Sequence, residues 1–108
     1  MASHNLTIWQ IPAGHPDFRE YGFTSWQQTI KASGRETVPR ERYRMVWSET
    51  LDAWPDLDDI YERFNLEHPD HYAGRSLSIS DLVEIDDELY FCDEYRWRRV
   101  RWTEEAES

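Results

Sequence analysis

Cysteine is almost missing from this chain: Cys92 stands alone, which excludes an internal disulfide and any CxxC pair. Glycine is scarce too, with four residues, and no GxGxxG, P-loop or EF-hand loop occurs, so nucleotide and calcium sites have no support. No apolar run approaches the roughly 18 residues of a membrane span. The opening MASHNLTIW lacks the apolar core of a signal peptide, and a cytoplasmic protein is expected. Aromatics, by contrast, are abundant, with six Trp and six Tyr. Large rings bury much area per residue, so a packed core is attainable although 31% of residues are charged. Disordered chains are poor in such rings, and 108 residues suit one domain.

The net charge is −10, and its placement matters more than its size. Residues 1–48 carry +2 and residues 95–108 carry +1. Between them, residues 49–94 hold fifteen carboxylates against Arg63 and Arg75 alone. Phosphate affinity comes from Lys and Arg, so direct nucleic-acid binding through this block is disfavoured. The partners left for such a block are a protein with a basic surface, cations, or water alone; no membrane partner and no cofactor are expected.

Leu6 to Ile11 is β-rich and halts at Pro12, and Pro12 to Pro16 reads as a turn. Thr24 or Ser25 can cap a helix through Ala32, closed by Ser33-Gly34. Residues 35–40 read as a polar loop. From Arg42 to Ser48, Tyr43, Met45 and Trp47 alternate with other residues, the pattern of a half-buried strand. Asp56 can cap a second helix, with Leu57, Ile60, Tyr61 and Phe64 as its buried stripe. That helix must finish by His68, because the residue before Pro69 avoids the α region. Gly74 marks a turn, Leu77 to Ile85 reads as a strand, Asp86-Asp87 as a turn, and Leu89 to Cys92 as the return strand. Glu94 to Arg96 makes another turn before Trp97 to Trp102. The fold class expected is α+β: a single small domain, a mainly antiparallel sheet of about five strands, and two helices. Its boundaries are an N-terminal tail over 1–5, the domain over 6–102 and an acidic C-terminal tail over 103–108.

Several groups invite a chemical reading and have a structural one beside it. His68 and His71 flank Pro69 and Asp70, yet zinc wants three or four ligands and no thiolate or HExxH accompanies them. Helix-stop and loop-tying duties account for them, and no metal site is assigned. Ser76, Ser78 and Ser80 would share one strand face, leaving Leu77 and Ile79 for the core. Asp81 then falls inward and needs partners, for which Arg75 and Tyr72 are local candidates. No nucleophile elbow or SxxK accompanies the serines, so no catalytic residue is assigned. Cys92, in acidic surroundings, is expected to pack rather than react. Arg96, Arg98, Arg99 and Arg101 surround Trp97 and Trp102; such a cluster can stack on nucleobases, but pairing with the acid block, or an exposed edge that deters aggregation, is expected, with pairing preferred.

One stretch is specific enough to compare. Leu57-Asp58-Asp59-Ile60-Tyr61 leads through Phe64-Asn65 and His68-Pro69 to Gly74, Ser76, Ser78 and Ser80-Asp81. Together with Tyr43 to Trp47 and Tyr90-Phe91-Cys92-Asp93, this closely resembles the YodL-like domains of mobile genetic elements. The resemblance runs from about Leu6 to Val100, with two departures: Arg96 stands where the family has a turn glycine, and Cys92 replaces a valine. It implies a scaffold role for Phe64, Asn65, His68, Pro69, Gly74, Ser76, Ser78, Ser80 and Asp81. It also implies a small domain carried by plasmids, conjugative elements and phages, often beside anti-restriction and other defence-related domains.

The function expected is non-enzymatic: an inhibitor, of anti-CRISPR or anti-restriction type, that blocks a host defence nuclease or nucleoprotein by presenting a nucleic-acid-like acidic surface. The contact residues expected are Asp56, Asp58, Asp59, Glu62, Asp86, Asp87 and Glu88, with Trp54 as an aromatic anchor. An adaptor module recognising its partner through a Trp-rich surface is the alternative. A hydrolase or nuclease using His68, His71 and Asp81 is the third reading.

Overall fold

A computed structural model of the chain describes residues 3–72, 74–94 and 96–106. Strands β1 (His4–Gln10), β2 (Arg44–Leu51), β3 (Leu82–Ile85), β4 (Glu88–Cys92) and β5 (Trp97–Val100) form one antiparallel sheet in the order β2-β1-β3-β4-β5. The one-turn helix α1 (Phe18–Tyr21), helix α2 (Trp26–Ser33) and a 3₁₀ turn (Arg40–Arg42) link β1 to β2. Helix α3 (Leu57–Leu66) links β2 to β3, and α4 (Thr103–Ala106) follows β5. This is the α+β arrangement expected, with α2 and α3 where two helices were expected and two single-turn helices added.

Alternation along the strands gives the sheet two apolar faces. Leu6, Ile8, Val83 and Ile85 face α3 and pack with its Ile60 and Phe64 and with Leu77. Leu82, Leu89, Phe91 and Val100 face the other way, against Tyr21, Trp26, Tyr43 and Trp102. Strand β3 lies inside the sheet, and Leu82, Val83 and Ile85 are all buried because both faces are covered. On the Trp102 side Glu84 is held by two indoles: Trp9 Nε1 donates at 3.2 Å and Trp102 Nε1 at 3.4 Å.

Helix α2 begins where its cap chemistry says it should. Ser25 Oγ accepts from Gln28 N at 3.3 Å, and Gly34 closes the helix at φ 71. Asp93, the residue after β4, satisfies a second end group by accepting from Trp26 N at 3.0 Å. Burial alone would raise the Asp93 carboxyl; bonds from Trp26, Glu94 and Arg98 hold it below its ordinary value. Replacing Ser25 with Ala is expected to cost about 1 kcal/mol in denaturant unfolding. No measurable loss would mean that the cap bond does not form in solution.

Four expectations need correction. The strand expected over Arg42–Ser48 starts at Arg44, and its register against β1 shifts between Ile8 and Trp9, leaving Val46 as an extra residue. That bulge breaks the alternation, so Met45 is 53% exposed while Trp47 packs toward α3. Tyr61 is 42% exposed at the margin of the α3 stripe, edge-on to Trp97. Residues 35–40 are not a purely polar loop: Val38 is fully buried, bonded to Arg101 O and Thr103 N.

The fourth correction concerns the serines. Only Leu82–Ile85 of the stretch 77–85 is strand, so Ser76, Ser78 and Ser80 do not share a strand face. Asp81 N donates to Ser78 O at 3.0 Å and closes a turn, with Ser80 at φ 82. A side-chain acceptor within reach of its own backbone competes with the ladder, and Asp81 Oδ2 accepts from Ser78 N at 2.8 Å. Ile79, expected inward, sits half-buried on this turn, while Leu77 is in the core.

At the ends, β1 starts at His4, inside the stretch expected to be a tail. Thr103 is buried and Glu104 accepts from Arg40 N, so residues 103–106 pack on the domain instead of fraying.

Candidate functional site

The signature residues form a scaffold around one buried carboxylate. The inward positions of β1 run Leu6, Ile8, Gln10, and the last is polar. Gln10 acts as a strand partner for Arg75: its Oε1 accepts from Arg75 N at 2.9 Å and its Nε2 donates to Arg75 O at 3.0 Å. Nε2 also donates to Asp81 Oδ2 at 3.0 Å. Of the partners expected for Asp81, Arg75 lies 3.8 Å from Oδ1, whereas Tyr72 Oη donates to Arg75 O. Burial pushes the Asp81 carboxyl up to about 7, against bonds from Ser78 and Gln10 and the charge of Arg75. Gly74 is required beside this knot, because a Cβ there would stand 2.5 Å from Tyr72 Oη and 2.8 Å from Gln10 Oε1.

The other signature groups have equally local duties. Phe64 is buried against Trp47 and Tyr72, and Asn65 Nδ2 donates to Tyr61 O at 2.7 Å. Pro69 O accepts from Tyr72 N, and His68 Nε2 lies 3.3 Å from Ser76 Oγ. Ser80, buried and left-handed, is held by three bonds: its N donates to Cys92 O, its Oγ accepts from Phe23 N, and its O accepts from Tyr43 Oη. His68, His71 and Asp81 are not assembled: His68 turns to Ser76 and Tyr72, His71 is exposed at φ 66, and Asp81 is enclosed. Among the described residues no group of three or more His, Cys, Asp or Glu is placed to hold a metal ion. Cys92 is buried, and its thiol is pushed up to about 12 by burial and by Asp81 and Asp93.

The acids expected to meet a partner are split among several tasks. Asp56 caps α3, its Oδ1 accepting from Asp58 N at 2.8 Å. Asp86 lies 2.7 Å from His4 Nδ1 and accepts from Asn5 N, and these bonds hold its carboxyl below the ordinary value. The His4 ring stands edge-on to Trp54, so Trp54, 45% exposed, and Asp86 meet through His4. Glu88 pairs with Arg99 at 2.7 Å, and Asp93 with Arg98 at 3.0 Å, the pairing expected of two of the four arginines. Asp58, Asp59, Glu62 and Asp87 are exposed and have no hydrogen-bond or ion-pair partner for their carboxylates among the described residues.

Two hollows border α3. One, of about 430 Å³, is lined by Asp58, Tyr61, Ile79, Asp93, Arg96 and Trp97 among others. The other, of about 200 Å³, is lined by Asp59, Glu62, Arg63, Leu66 and Glu67. Both arginines of the acid block are engaged inside it, Arg63 with Glu49 and Arg75 near Asp81. The turn before β5 closes through Asp93 N, which donates to Arg96 O at 3.0 Å; Tyr95 lies outside the described residues. No helix among the described residues is long and apolar enough to cross a membrane.

A family model, that of the YodL-like domain, matches residues 5–102. No curated protein and no solved structure matches the chain.

Proposed function

Because the chain belongs to the YodL-like domain family, we propose that it is a non-enzymatic protein of a mobile genetic element. In this reading it binds the basic nucleic-acid-binding surface of a host defence nuclease or nucleoprotein and blocks it, as an anti-restriction or anti-CRISPR protein does. One observation carries the reading. The acid block keeps Asp58, Asp59 and Glu62 on α3, and Asp87 on the β3–β4 turn, free of internal partners among the described residues, while Arg63 is spent on Glu49 inside the block. Carboxylates that stabilise nothing internally are available to a cationic partner. Their fields would speed encounter and select the partner more than they would set final affinity.

The test is binding to purified restriction enzymes and CRISPR effectors over a salt series. Affinity is expected to fall steadily as salt rises. The combined variant Asp58→Asn, Asp59→Asn, Glu62→Gln, Asp87→Asn is expected to weaken binding by about 10- to 100-fold, at up to roughly 1 kcal/mol per exposed pair. The four residues are solvated, so this variant keeps the fold. Absence of binding at low salt, or indifference to salt, overturns the reading.

A second reading has its own support. Tyr61 and Trp97 line the larger hollow beside α3 with their rings 6.5 Å apart, a surface suited to an adaptor that grips its partner through aromatics. Binding that survives the four-residue neutralisation and is lost in Tyr61→Ala favours the adaptor.

A further inference from the structure

We propose that the hollow between the start of β2 and the Gly74-Arg75 segment is a binding site for the phosphate group of a small phosphorylated ligand. Its volume is about 290 Å³, and two arginines, Arg44 and Arg75, are among the residues that line it, with Gln10, Pro12, Met45 and Gly74. No carboxylate lines it, although the chain carries 22 acidic residues against 12 basic ones. A positive hollow in a protein of net charge −10 has no role in the acid-face reading, and the inference is independent of that reading.

Arg44 has no ion pair among the described residues, and Arg75 has only the long one to Asp81. Arg44 is the β-ladder partner of Gln10 and is exposed. Arg75 is fixed at its backbone by the two Gln10 bonds, and its guanidinium carbon lies 5.3 Å from the Phe18 ring and 5.5 Å from the Phe23 ring. Its Nε is buried without a hydrogen-bond partner, and its approach to Asp81 Oδ1, 3.8 Å, is longer than a hydrogen bond. A buried donor left unsatisfied is a standing cost that an acceptor removes. Two forked guanidiniums match the charge and oxygens of a phosphate dianion, which a single carboxylate would leave half neutralised. Pro12 and Met45 give the same hollow an apolar wall for the organic part of a phosphomonoester.

The experiment is an amide-resolved NMR titration with inorganic phosphate, then with methyl phosphate, at an ionic strength held constant with chloride. Saturable shifts are expected at Met45, Gly74 and Arg75 with at least one of the two. Methyl phosphate alone would identify an ester ligand, and equal responses would identify the phosphate group itself as what is read. In Arg44→Gln, whose exposed side chain supports no part of the fold, the dissociation constant is expected to rise by about ten-fold, the equivalent of about 1.4 kcal/mol. Arg75→Gln should abolish saturation. No saturable shift with either ligand, or equal affinity in Arg44→Gln, overturns the proposal.

Discussion

Phe64→Ala is expected to lower the unfolding free energy by about 3–5 kcal/mol, the usual loss when a buried ring is cut back and the cavity stays open. Phe64 is fully buried, with its ring 5.0 Å from that of Tyr72 and 6.1 Å from that of Trp47, both edge-on. It and Ile60 are the buried residues through which α3 covers one face of the sheet. Relaxation cannot fill the gap cheaply, because Tyr72 is tied through its hydroxyl to Arg75 O and Trp47 lies on a strand. Domains of this size have roughly 5–15 kcal/mol in total, so the variant should melt many degrees lower. Leu66→Ala, on the same helix but 74% exposed, is the control and should change stability by less than about 0.5 kcal/mol. Equal, small effects in both would mean that α3 does not pack on the sheet through Phe64.

That contrast was readable in advance, since Phe64 falls on the i, i+3, i+4, i+7 stripe and Leu66 falls off it. Helix caps were equally readable: Ser25, Gly34 and Asp56 stand where the chemistry of orphan end groups needs them. What the local pattern misjudged was settled by residues far away in sequence. Met45 loses its inward place to a bulge against Ile8 and Trp9, and Val38 becomes buried only because Trp102 and Thr103 return beside it. Neither neighbour is visible in a window of ten residues. Ser78 and Ser80 read as strand by alternation, but alternation takes no account of Asp81 accepting from Ser78 N.

For the acidic face, composition located the excess charge but not its use. Asp56, Asp86 and Glu88 look like Asp58 and Asp87 in sequence, yet the first three are committed to a helix cap, a histidine and an arginine. Only the α3 cap was foreseeable, from its position ahead of an apolar stripe. The Gln10 partnership had a signal that went unread: a glutamine at an inward position of a strand must find buried partners, and Asp81 was the one carboxylate needing them.

Asp81→Asn is expected to remove a pH dependence of about 4 kcal/mol from the stability of the protein. The folded carboxyl titrates at about 7 and its ordinary value is 3.8, so between these limits the folded state holds a proton that the unfolded state has lost. The stabilisation is fully present below the unfolded value and is lost as pH rises through the folded one. Stability of the parent protein relative to the variant should therefore decline from pH 4 to pH 7 and level off above that. The groups facing Asp81 are Tyr43, Tyr72, Cys92 and Arg75, and burial raises the first three above this window. The substitution is sterically mild. Its carbonyl can take over the bonds that Oδ2 accepts from Gln10 and Ser78, and its amide replaces Oδ1, which is buried without a hydrogen-bond partner. Above pH 7 the amide also spares the fold a buried charge whose nearest cation stands 3.8 Å away, so there the variant should equal or exceed the parent. Denaturant midpoints for both proteins at pH 5 and pH 8 decide the matter. Parallel pH profiles would mean that Asp81 is ionised throughout, and that its contact with Arg75 is tighter than 3.8 Å in solution.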